Sequence, residues 1–305
     1  MGKYIIAGGS GFVGRHLTAL LEKEQHDVFI LTTQKGKAGT SVSDSVKFIY
    51  WNPVERMIDK SFQLSNCRII NLAGANIAGE RWTPSRKKEI VESRTSSLET
   101  LYAAVEKKQI QPVHLLSSSA IGYYGESDKI LTEEDHGDES FLSSTCRQWE
   151  EVAWRFARLN LPVSVARFGI VLGKDGGALK EFAKPLHFGL AAIPSDGKQI
   201  YSWIHVDDLS RLLFFLSSNN KEGIFNAVSP RPASVNQIFF ELIKHTHPFF
   251  LKVHVPDFTL RMVLGEMATE VLKSVSVSSH KIEDQGFAFA YPGIDQCIAA
   301  LMEEG

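Results

Sequence analysis

Short apolar runs and longer stretches with helical spacing take turns along the first two-thirds of the chain. Tyr4 to Ala7 is an apolar run, and an amphipathic stretch follows from Phe12 to Glu24. Asp27 to Thr32, Val46 to Trp51 and Arg68 to Ala73 read as further strands. A long helical stretch from Pro84 to Lys108 is entered by Thr83 as N-cap, with proline in its first turn. A strand over Val113 to Ser117, a helix over Leu142 to Asn160 and a strand over Val163 to Phe168 come next. This alternation predicts an α/β chain with a doubly wound parallel sheet and helices on both faces. Ligands of such sheets bind beyond the carboxyl ends of the strands. Gly8–Gly14, Thr32–Lys35, Ala73–Gly74 and Ser117–Ser119 should therefore share one crevice.

The alternation loosens after Gly173. A helix begins at Gly176-Gly177, a turn covers Ser195 to Lys198, a helix runs through Leu216, and Ile224 to Val228 reads as a last sheet strand. From Pro230 onward short helices are separated by Pro248, Pro256, Gly265 and Pro292. We expect a main domain over residues 1–228 and a smaller C-terminal lobe over 229–305 that closes over the crevice, with 172–200 contributing to the lobe.

Composition narrows the classes. The chain has 305 residues, 44% of them hydrophobic, and a formal net charge of −2, enough for a large core. Near-neutral charge without a basic run argues against nucleic acid as a partner. No apolar stretch reaches the length of a membrane span, and the chain opens on a core strand, so we expect no membrane partner and a cytoplasmic setting. Cys67, Cys146 and Cys297 are far apart and odd in number, which makes no disulfide framework. His245-x-His247 lacks a cysteine or carboxylate at ligand spacing and reads as a solvated helix end, so no metal is expected. A homodimer stays open.

The candidate chemistry starts at Gly8-x-x-Gly11-x-x-Gly14, where the first strand turns into the first helix. Glycines serve the sharp turn, the close approach of backbone N–H groups to a pyrophosphate, and tight helix-on-strand packing. Ser10, Phe12 and Val13 lie in the same turn, and the helix N-terminus adds unpaired N–H groups. The second strand ends in Thr32-Thr33-Gln34-Lys35, with no carboxylate to accept from a ribose 2′-hydroxyl. Two hydroxyls, Lys35 and Lys37 suit a 2′-phosphate, which favours NADP(H) over NAD(H). Ordinary solvated loop residues are the competing reading.

Gly8-Gly9-Ser10-Gly11-Phe12-Val13-Gly14, Asn71-Leu72-Ala73-Gly74, Ser117-Ser118-Ser119-Ala120 and Trp203-Ile204-His205-Val206-Asp207-Asp208 together resemble the extended short-chain dehydrogenase/reductases, the epimerase and dehydratase group. Arg81-Trp82-Thr83, Ser93-Arg94, Gly122-Tyr123-Tyr124-Gly125, Cys146 to Glu150 and Leu264 to Met267 resemble an atypical branch. Its members are called nucleoside-diphosphate-sugar epimerase-like or cell-division-inhibitor-like, with a short C-terminal domain of unknown function. The resemblance implies an NAD(P)-binding Rossmann fold with a smaller C-terminal substrate lobe, and NADP(H) as cofactor. It puts Leu72, Ala73, Gly74, Ser117 and Ile170 at the cofactor, Arg94 at its phosphates, and Glu89 there more weakly.

In the wider family a serine, a tyrosine and a lysine four residues after the tyrosine carry the acid–base chemistry. Ser119 holds the serine position here, against the alternative of a turn serine bonding its own backbone. The tyrosine–lysine pair is missing: the matching helix carries Cys146 and Glu150 on one face. A carboxylate cannot replace an ammonium in depressing a neighbouring acid's pKa. Tyr123 and Tyr124, four and five residues after Ser119, are the replacement acids, with aromatic packing as the plain alternative for each. Tyr201 stands where sugar-nucleotide enzymes place a diphosphate-binding arginine, which counts against a nucleotide-sugar substrate. His205, Asp207 and Asp208 are expected to buttress the helix they open. Two functions remain open from sequence. One is an epimerase or oxidoreductase acting on a small hydroxyl or carbonyl compound. The other is a dinucleotide-binding regulator that senses the redox ratio and contacts a protein partner.

Overall fold

The computed structural model describes residues 1–186, 188–245 and 250–303. His247, half of the His-x-His motif, lies outside them. An eight-stranded sheet forms the centre, in the order Gly223–Ala227, Val163–Phe168, Ile110–Ala120, Leu64–Asn71, Lys3–Ala7, Asp27–Thr32, Val46–Asn52 and Met57–Ile58. Every pairing is parallel except the last, where the two-residue edge strand runs antiparallel. The order reverses at Lys3–Ala7, which places the first strand's carboxyl end at a switch point where ligands enter such sheets.

Helices α1 (Phe12–Lys23), α2 (Pro84–Glu106), α3 (Phe141–Trp154), α4 (Gly177–Leu186) and α5 (Val206–Ser218) cover this sheet and start the lobe. Two apolar layers result. Leu17, Leu21, Leu209, Leu212 and Leu216 of α1 and α5 pack on Tyr4, Ile6, Val28 and Ile70. Leu98, Leu101, Trp149 and Val152 of α2 and α3 pack on the opposite face, against Ile5, Ile69, Leu115 and Val165. Alternate residues of the central strands thus serve opposite faces, as a strand's period of two requires.

Several boundaries differ from those read in sequence. The strand expected over Val113 to Ser117 runs from Ile110 to Ala120, because parallel partners on both sides keep supplying hydrogen bonds. The helix expected to reach Asn160 ends at Trp154, and a tighter turn over Arg155–Leu159 closes at Asn160 in the left-handed conformation. The tail is more than helices. Leu251–Val255 pairs with Leu190–Pro194, and Val275–Val277 joins Ser127–Leu131 and Ile200–Tyr201. A third core gathers Leu179, Ile193, Tyr201 and Trp203 with Val235, Phe239, Cys297 and Leu301. Cys67, Cys146 and Cys297 are free and buried. No helix among the described residues is long and apolar enough to cross a membrane.

Candidate active site

The glycine turn is shaped by what a side chain would strike. Gly8 has φ +84°, and a Cβ there would lie 2.7 Å from the Leu72 carbonyl carbon. At Gly14 it would lie 2.3 Å from the Gly8 carbonyl oxygen. The first glycine allows the turn and the third allows α1 to sit against the strand. Gly11 caps α1 without a side-chain bond, so no cap covers the N–H groups of its first turn. Ser10 and Gly11 are exposed, and Phe12 and Val13 partly so. Leu72, Ala73 and Gly74 lie alongside, tied by the Leu72 N–H to the Ala7 carbonyl (2.8 Å). This cradle fits a dinucleotide pyrophosphate.

At the end of the second strand Thr32 is buried, its hydroxyl accepting from the Gln34 N–H (3.1 Å), while Thr33 and Lys35 face solvent. The Lys35 ammonium stands 5.7 Å from the Tyr50 ring. Arg94 is partly buried between Gly74 and the Trp149 ring (5.1 Å), with one N–H on the Ile90 carbonyl. Burial lowers its pKa. None of the ion pairs among the described residues uses it. Glu89 stands on the same helix as Arg94, its exposed carboxylate ion-paired to Arg86 (2.6 Å), which also bonds the Asn76 carbonyl just past Gly74 (2.5 Å).

The reactive corner is the largest departure from sequence expectation. Ser117 and Ser118 are buried and bond backbone carbonyls, whereas the Ser119 hydroxyl donates to Glu150 Oε1 (2.6 Å). Ser119 is therefore no self-bonding turn serine. Arg167 forks onto Glu150, Nε to Oε1 and Nη2 to Oε2, both at 2.8 Å. Its Nη1 donates to the Tyr124 hydroxyl (2.8 Å), which donates in turn to Asn226 Oδ1 (2.8 Å). Arg167, Glu150, Ser119 and Tyr124 are all buried. The carboxylate pair raises the Arg167 pKa further, and burial pushes Tyr124 up to about 12. Tyr124, one of the two expected acids, is thus a core residue that has both given and accepted a hydrogen bond. Tyr123 is different: it is partly exposed, and the Arg167 guanidinium lies 3.5 Å from its ring centroid.

Cys146 is buried, and burial, reinforced by Glu150, pushes its thiol up to about 11, which makes it no nucleophile. Ile170, also placed at the cofactor, pairs with Trp203 beyond the sheet's edge and is partly exposed. His205 caps α5 by accepting the Asp207 N–H (3.0 Å), and Asp208 accepts from the Ala290 and Tyr291 N–H groups. Tyr201 donates to the Val271 carbonyl (2.5 Å) and leaves no phosphate-binding fork at that position. Among the described residues no group of three or more metal-ligating side chains assembles.

Sequence reasoning missed Arg167, Asn226 and Lys273, whose ammonium donates to the Tyr124 carbonyl (2.6 Å). One signal was there: a lone arginine inside the apolar run Val163–Phe168 must have a counter-ion, since an unpaired buried charge is prohibitively costly.

A parallel sheet with helices on both faces and this glycine cradle at its switch point is the fold of a nicotinamide-dinucleotide-binding protein of the short-chain dehydrogenase/reductase type. The NAD-dependent epimerase/dehydratase family model matches residues 4–227, and a domain of unknown function, DUF1731, matches 255–301. The chain belongs to that epimerase/dehydratase family. It is 32% identical over 310 residues to an epimerase family protein of Staphylococcus aureus, covering 100% of both chains. A human epimerase family protein crystallised with NADPH superposes with a TM-score of 0.85 at 25% identity, over 99% of this chain and 100% of that one. A UDP-glucuronic acid 4-epimerase from Bacillus cereus, solved with UDP-glucuronic acid and NAD, has a TM-score of 0.77 at 17% identity over 99% and 98% of the chains, which shows the shared fold alone.

Proposed function

We propose that this protein binds NADP(H) in preference to NAD(H) and acts as an epimerase or oxidoreductase on a small hydroxyl or carbonyl compound. Tyr123 is the acid–base group and Ser119 the substrate-orienting oxygen. The carrying observation is the Ser119–Glu150 bond of 2.6 Å. A serine has one proton to donate. With that proton held by Glu150, Ser119 offers only lone pairs to the crevice, so it suits a ligand group that donates, such as a secondary hydroxyl. Tyr124 is closed off, which leaves Tyr123 as the phenol able to move a proton at a substrate oxygen.

Gly8 to Gly14 would hold the pyrophosphate, and Thr33 with Lys35 a 2′-phosphate; the NADPH in the human relative supports that choice. When bound, the nicotinamide supplies a hydride acceptor or donor. Three free, buried cysteines suit a reducing, cytoplasmic setting.

Fluorescence titration tests the cofactor choice. Lys35→Ala is expected to weaken NADPH by about tenfold, the size of one charge-assisted bond, and to leave NADH unchanged; equal losses for both would refute a 2′-phosphate site. For the chemistry, stopped-flow hydride transfer across a panel of secondary alcohols should vanish in Tyr123→Phe. Transfer unaffected by that change removes Tyr123 from the mechanism.

The buried Glu150–Arg167 pair, with Cys146 and Glu150 where the wider family carries its tyrosine and lysine, also favours a second reading: a regulator that senses the NADPH/NADP⁺ ratio without turnover. Calorimetry decides that one, since equal affinity for both redox forms cannot shift any equilibrium between them.

A further inference from the structure

We infer that His16 is a pH-sensitive latch on the dinucleotide cradle, holding the loop after Gly173 down on the first turn of α1. The inference rests on the cofactor reading above and adds a means of regulating that site.

The geometry speaks first. His16 Nε2 lies 3.0 Å from Asp175 Oδ1, and Nδ1 lies 3.1 Å from Asp207 Oδ1. Both partners are carboxylates, which only accept. A neutral imidazole has one N–H and would turn a lone pair on one of the two carboxylates. Only the imidazolium satisfies both.

The three residues belong to three elements: His16 to α1, Asp207 to the first turn of α5, and Asp175 to the loop between Ile170–Gly173 and α4. That loop rests directly on the cradle. Cβ atoms at Gly173 and Gly176 would each lie 2.5 Å from the Phe12 ring. Arg15 bonds Asp175 (2.9 Å) and also the carbonyl of Ser10 (3.2 Å), inside the glycine turn.

The groups around the latch are of both signs, Arg15 and Lys174 beside Asp175 and the two carboxylates on the ring itself. Phe12 meets the imidazole edge-on at 5.4 Å, and Lys174 flanks Asp175 in the loop. His205 accepts from the Asp207 backbone, while Asp208 turns inward to Arg211 (2.7 Å). The Asp207 hydrogen bond, then those with Asp175, raise the His16 pKa against the opposing effect of partial burial. Asp175 is correspondingly held at about 2. A raised histidine pKa gives a contact fully present below the ordinary value near 6.5 and lost as pH climbs through the higher folded value. Above that point one carboxylate is released. Asp175, half exposed and on the loop, is then held to α1 by Arg15 alone (2.9 Å), and the loop's grip on the turn that meets the pyrophosphate loosens.

The test is NADPH titration by fluorescence from about pH 6 to about pH 9, on wild type, His16→Gln and Asp175→Asn. The variants carry the same 2′-phosphate ionisation as background. Relative to His16→Gln, wild type should lose about tenfold in affinity across that range, the size of one charge-assisted hydrogen bond. Asp175→Asn, at an exposed site, should flatten the profile in the same way and guards against a folding defect at His16. Parallel profiles for all three proteins, with tight NADPH binding, overturn the latch and leave the cofactor reading intact. Absence of NADPH binding at every pH overturns the cofactor reading, and the latch with it.

Discussion

Arg167 and Glu150 show how much one residue's placement costs and decides. Each ion loses several kcal/mol of hydration on burial, and their forked bonds offset this only while both are present. Removing one partner should therefore destabilise more than removing both. Arg167→Met and Glu150→Gln are each expected to lower unfolding free energy by about 3 kcal/mol, whereas Glu150→Leu with Arg167→Met should recover most of the loss. Urea unfolding curves read this directly, and a double variant as weak as the summed singles would contradict it. His114 makes a second residue-scale case. It is fully buried, bonded to the Lys221 carbonyl (2.9 Å), and burial lowers its pKa to about 4. The unfolded chain takes up the proton near 6.5, so the folded state loses stability as pH falls from there toward 4. The slope is on the order of 1.4 kcal/mol per pH unit. Unfolding of wild type and His114→Phe at matched pH values should differ in slope over that window alone.

Elements with a clear period were legible, and those held by distant partners were not. The early strands and α1 to α3 declare themselves by spacing, by Thr83 as N-cap (its hydroxyl accepts the Arg86 N–H at 3.2 Å) and by glycine at the strand end. The strand Val275–Val277 has three residues and exists because Ser127–Leu131 and Ile200–Tyr201 pair with it. No local signal marks such a strand. Two element-scale expectations follow from contact geometry. Gly14→Ala puts a methyl group 2.3 Å from the Gly8 carbonyl oxygen and forces α1 off the strand, so NADPH binding should disappear in fluorescence titration. Ser234 and Gln237 form a capping box at the helix Val235–Lys244, and Ser234→Ala should lower thermal stability by about 1 kcal/mol.

At the scale of the molecule the C-terminal lobe is part of the corner's support. Lys273 bonds the Tyr124 carbonyl, Asn226 donates to the Ser278 carbonyl (3.3 Å), and the Asp208 carboxylate takes the Ala290 and Tyr291 N–H groups. A chain ending at Val228 would uncover Trp203, Tyr201 and Ile193, all buried against residues 233–301. Such a truncation should bind a hydrophobic dye and lose its cooperative melting transition; a sharp melt would show the larger part to be independent.

Local chemistry settled the parallel sheet, the glycine turn and the carboxylate-free end of the second strand, because each depends on backbone freedom and on side chains within a few positions. The resemblance to the wider family calls for an acid near Ser119, and sequence left Tyr123 and Tyr124 as equals. Folding separated them. Burial and a bond to Asn226, over a hundred residues away in the chain, closed Tyr124 into the core, and Arg167 from a third strand took Glu150 as its counter-ion. Long-range pairing of charges depends on which strands lie side by side, and neither period nor spacing encodes that.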